Sequence, residues 1–74
     1  MNTLPKKFGR VMKQLRLDAG YSQDAFAKEA GLDRTFISLL ELGKRQPTIT
    51  TIFKISEVLD VTPEHLVKLV NDLK

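Results

Sequence analysis

The sequence predicts an all-α fold: a compact five-helix domain in which two short helices meet at a tight glycine turn. Two observations carry this. Every apolar pattern recurs at spacings of three and four, and none shows the period-two alternation of a half-buried strand. Ser22, Asp33, Thr48 and Thr62 each precede such a pattern, where a short polar side chain can cap a helix start. The 74 residues allow one domain, spanning 1–74. A core this small is marginal, so close helix packing or a partner subunit has to supplement it.

Phe8, Val11, Met12 and Leu15 form the first stripe, which ends near Gly20. Ser22 caps a second helix starting at Gln23, with Phe26, Ala27 and Ala30 inward. Gly31 follows the last apolar position, where a chain leaving a helix usually turns left-handed. Asp33 then caps a third helix over 34–42, with Ile37 and Leu40 inward. Hydrophobic staples pair Tyr21 with Phe26 and Leu32 with Ile37, while Ala25 and Phe36 stand where a full capping box needs Glu or Gln. Two capped helices around such a turn make a helix-turn-helix unit, at about 22–42, whose second helix can enter a DNA major groove. Gly43 to Pro47 is a loop carrying Lys44 and Arg45. Thr48 caps a fourth helix with Ile49, Ile52, Ile55, Ser56 and Leu59 on one face. Thr62, Pro63 and Glu64 open the fifth helix as cap, first-turn proline and acid near the positive helix end. Its apolar residues Leu66, Val67, Leu69, Val70 and Leu73 cover roughly 160°, wider than a core face needs.

The charge is unevenly spread. Residues 1–46 hold nine Lys/Arg against five acids, a net of +4, whereas 47–74 hold three against four, a net of −1. One basic half suits a face that meets a polyanion. With Ile37 inward, the outer row of the third helix is Arg34, Thr35, Ser38 and Leu39. These offer a guanidinium fork for guanine, two adaptable hydroxyls and an aliphatic contact for a thymine methyl. Phe36 falls to the flank and is expected to pack. Lys13, Lys44 and Arg45 are placed to hold phosphates, as are the free N–H groups beside Gln23 at the start of the second helix.

The chain resembles the Cro/repressor-type helix-turn-helix family, which includes phage repressors and restriction–modification controller proteins. The residues that carry the resemblance run in order: FG at 8–9, Lys13, Arg16, GYSQ at 20–23, FAKEAGL at 26–32, E-x-G-K-R-x-P at 41–47 and I-x-x-I-F-K-I-S-x-x-L-x-V at 49–61. The segment DRTFIS at 33–38 is closest to the controller proteins. The resemblance implies that Arg34, Thr35 and Leu39 read bases, that Gln23 binds phosphate and braces the third helix, and that Arg16 and Glu41 form an internal ion pair. Leu42 departs from the family pattern, which usually has a polar or basic residue there. It either leans on Pro47 or joins Leu39 in an apolar patch that meets a protein.

These features predict a sequence-specific regulator of transcription that binds double-stranded DNA as a homodimer. The dimer interface is expected from Phe53, which lies off the main stripe of its helix, and from Leu66, Val67, Leu69, Val70 and Leu73. The alternative is a protein-interaction module, such as an antitoxin that binds a toxin and its own promoter. Catalysis is not expected, because His65 is the one histidine and no cysteine accompanies it. For the same reason no cofactor or metal is expected. No leader and no apolar run of about 18 residues is present, which predicts a cytoplasmic protein, complete as given, with no membrane partner.

Overall fold

The computed structural model describes residues 3–73 and folds them into five helices with no strand among them. They are α1 (Leu4–Asp18), α2 (Gln23–Ala30), α3 (Arg34–Glu41), α4 (Ile49–Leu59) and α5 (Pro63–Asp72). Helix α1 packs against α3 and α5, α2 against α3 and α4, and α4 against α5. Phe26, Met12, Ile37, Leu40, Ile55 and Leu66 are fully buried where these helices converge. Each such side chain contributes about 1.5–3 kcal/mol by leaving water. The core therefore draws on every helix and fixes how α2 and α3 sit on the rest.

Most helix ends follow from the local sequence. Ser22 Oγ accepts the Ala25 N–H at 3.1 Å, Thr48 Oγ1 that of Thr51 at 3.1 Å, and Thr62 Oγ1 that of His65 at 3.0 Å. Gly31 ends α2 with φ 67°, and Asp60 ends α4 in the same left-handed region at φ 57°. The Tyr21 and Phe26 rings lie 5.8 Å apart, closing the staple before α2.

Four expectations give way to the structure. Asp33 stands at the N-cap of α3, yet its side chain makes no capping hydrogen bond, and its carbonyl takes the Ile37 N–H instead. The third helix ends at Glu41, with Leu42 as its C-cap. Ile49 is 71% exposed rather than part of the α4 core face. It is the first helical residue, and helical side chains lean toward the N-terminus, which carries it past the packed region. On α5 the wide apolar arc divides. Leu66 and Val70, expected at a dimer interface, are buried within the chain's own core, while Val67 stays half exposed. Leu66 and Val70 are one helical turn apart on the inner face, so a second chain cannot reach them.

Ser56 on α4 is buried with its Oγ lacking a hydrogen-bond partner among the described residues. A stranded hydroxyl costs free energy, and alanine is the better helix former. Ser56→Ala is expected to stabilise the fold by about 1 kcal/mol and raise Tm by about 5 °C. Thermal unfolding followed by circular dichroism checks this; a lower Tm would mean that the hydroxyl is satisfied in solution.

Candidate nucleic-acid interface

The site is built on a buried polar knot joining three helices. Arg16, in the last turn of α1, donates from Nε to Glu41 Oε2 at 2.6 Å and from Nη2 to Glu41 Oε1 at 3.0 Å. Its Nη1 donates to the Tyr21 carbonyl at 2.8 Å, just before α2. Gln23, the first residue of α2, donates from Nε2 to Glu41 Oε1 at 3.0 Å. The Arg16 and Glu41 side chains are almost wholly buried. Glu41 is the last residue of α3, so one carboxylate ties that helix to α1 and to the start of α2. One bidentate pair of charged bonds and two further hydrogen bonds fix the geometry where longer, softer contacts would let it drift.

Above this knot, α3 turns its outer row to solvent. Arg34 and Thr35 are exposed, while Ser38 and Leu39 are half-buried. Arg34 is also paired: its Nε lies 3.1 Å from Asp24 Oδ1 on the first turn of α2, with both side chains well exposed. Sequence reasoning missed Asp24. No single-helix pattern marks it, because the contact depends on how α2 and α3 cross. Phe36 packs against the core, and the Arg45 guanidinium lies 5.9 Å from its ring centre, in reach of a cation–π contact. Lys13 and Lys44 are exposed. Leu42 is 59% exposed, whereas Pro47 lines an apolar groove with Leu4, Pro5, Phe8 and Ile52. Leu39, its companion in the alternative apolar patch, is half-buried.

Chemically, this surface presents the Arg34 guanidinium and two hydroxyls on the outer row of α3, with Lys13, Lys44 and Arg45 around it. Among the described residues no group of His, Cys, Asp or Glu could hold a metal ion. No described helix is long and apolar enough to cross a membrane.

Residues 12–66, a stretch that contains α2 and α3, match the helix-turn-helix family. The chain belongs to this family. It is 39% identical over 67 residues to the control protein C.MunI of Mycoplasma sp, covering 89% of this chain and 90% of that one. It is likewise 39% identical over 66 residues to the control protein C.BamHI of Bacillus amyloliquefaciens, covering 88% and 82%. In three dimensions it is similar to the crystal structure of the restriction-modification controller protein C.AhdI from Aeromonas hydrophila. That match has a TM-score of 0.81 at 35% identity and covers 84% of this chain and 94% of the other.

Proposed function

We propose that this helix-turn-helix protein is a sequence-specific transcriptional regulator that binds double-stranded DNA as a homodimer on a near-palindromic operator. The observation that supports it most is the exposure of Arg34 and Thr35 on a helix anchored from beneath by Arg16, Glu41 and Gln23. Laid in a major groove, α3 presents Arg34 to guanine, with Thr35, Ser38 and Leu39 able to touch neighbouring bases. Lys13, Lys44 and Arg45 hold phosphates and set the register without reading sequence, and the open end of α2 at Gln23 adds backbone donors. Similarity to control proteins favours the same reading. We place the protein in the cytoplasm and assign it no catalytic step.

The homodimer is proposed on α4 and α5. Ile49, Phe53 and Val67 are exposed there, at 71%, 58% and 51%, beside the apolar groove that Ile52 and Val67 help to line. Leu69 and Leu73 are half-buried on the other flank of α5, where they line a groove with Val11 and Leu15 of α1, so they lie apart from this surface. Two-fold pairing would set the two recognition helices about 34 Å apart, one turn of DNA.

Selection of duplexes from a random library by the purified protein, with sedimentation at micromolar concentration, tests both parts. A symmetric motif with half-sites about one turn apart is expected, bound by a dimer. Selection without an enriched motif would remove sequence specificity, and a monomer that stays a monomer on selected DNA would remove the dimer.

A further inference from the structure

We propose that Asp24 is a positioning residue for base recognition: it fixes which edge of the Arg34 guanidinium meets the DNA and keeps that side chain off the phosphates. The proposal rests on the reading of Arg34 as a base contact. Asp24 is the second residue of α2 and Arg34 the first of α3, so the pair spans the open ends of the two signature helices. Its Oδ1 lies 3.1 Å from Arg34 Nε. A guanidinium can grip two acceptors end-on, through Nη1 and Nη2, or side-on, through Nε and one Nη. The carboxylate lies nearest Nε, on the side of the guanidinium away from the end-on fork, which suits presentation of that fork to the O6 and N7 pair of guanine. Both side chains project into solvent, at 63% and 80% exposure, so the pair stands at the surface and not in the core.

The charge of Asp24 acts in the same direction. A free arginine on a basic surface is drawn to the nearest phosphate, which carries no sequence information. A carboxylate beside Arg34 repels phosphate oxygens and satisfies part of the cation, so the side chain gains less by leaving the base. This lowers affinity for all DNA while sharpening the choice among sequences, as a repulsive element does in any specificity device. The effect has a ceiling. An exposed ion pair couples its members by no more than about fivefold in an equilibrium constant.

The test measures binding of wild type, Arg34→Ala, Asp24→Asn and Asp24→Glu to the preferred duplex, to its single-base variants and to nonspecific DNA at several salt concentrations. Arg34→Ala marks the base pair that Arg34 reads. Asp24→Asn is expected to lower preference at that base pair alone by about two- to fivefold. It should raise affinity for nonspecific DNA and steepen the slope of log K against log salt by up to about 0.9, as Arg34 becomes free to take a phosphate. Asp24→Glu should recover much of the preference. With Arg34 already alanine, Asp24→Asn should change preference no further. Uniform tightening by Asp24→Asn with an unchanged preference profile overturns the positioning role and leaves the Arg34 contact standing. An Arg34→Ala profile identical to wild type overturns both. Melting curves matching wild type confirm that any change arises at the surface.

Discussion

Glu41→Ala is expected to cost about 3–5 kcal/mol of stability, because it leaves a buried guanidinium without its counter-ion. Arg16 is 5% exposed and cannot reach water to recover what it loses. Gln23 loses its acceptor in the same step. A small domain has only about 5–15 kcal/mol to lose, so this one change should leave much of the protein unfolded at 37 °C. The double replacement Arg16→Met with Glu41→Leu removes both charges and should recover at least about 2 kcal/mol of the loss, since an apolar pair carries no desolvation penalty. Recovery stays partial because the Tyr21 carbonyl also loses its donor. Urea unfolding of the two variants gives the comparison. A Glu41→Ala cost below about 1 kcal/mol would show that the knot contributes little to the fold.

Gly9→Ala should reverse the usual sign of a glycine-to-alanine change within a helix. Alanine is the better helix former by about 0.8–1 kcal/mol, and Gly9 lies well inside α1. Yet a Cβ there would stand 2.3 Å from the Leu40 carbonyl oxygen and 2.7 Å from that of Glu41. These are backbone atoms of α3 and cannot swing aside like a side-chain tip. The two helices would have to separate, pulling Glu41 from Arg16. Overpacking of this kind costs about 1–3 kcal/mol and here falls at the upper end, lowering Tm by about 10–20 °C. Gly31→Ala makes the control. Nothing lies within 4 Å of its added Cβ, so only the left-handed backbone is penalised, at about 1–2 kcal/mol. A Gly9→Ala protein as stable as wild type would mean that α1 and α3 can part freely.

The fold was legible because its signals are local. Ser22, Thr48 and Thr62 announce helix starts by side-chain chemistry that acts within three residues, and Gly31 announces an end. What escaped depends on where helices land. Nothing in the α4 pattern separates Ile49 from Ile55, because period alone cannot say how far along a helix the core extends. In the sequence the α5 arc looks like surplus surface, yet packing on both α1 and α4 consumes Leu66 and Val70. In the site, the outer row of α3 followed from helical geometry, and the place of Arg16 and Glu41 from the family resemblance. The pairing of Arg34 with Asp24 needs the angle between α2 and α3, which no single-helix projection contains.

The central proposal is that α3 reads sequence, with Arg34 as chief reader. The direct measurement is the affinity of Arg34→Ala for the preferred duplex and every single-base variant, across a range of salt. Direct readout predicts a loss of about 1–3 kcal/mol on the preferred site, confined to one base position per half-site. Nonspecific affinity should hold, since Lys13, Lys44 and Arg45 remain. The opposite pattern is uniform weakening on every sequence, a salt slope shallower by about 0.9 and an unchanged order of base preference. That result would contradict the account, because it would place Arg34 on a phosphate and leave α3 without its reader.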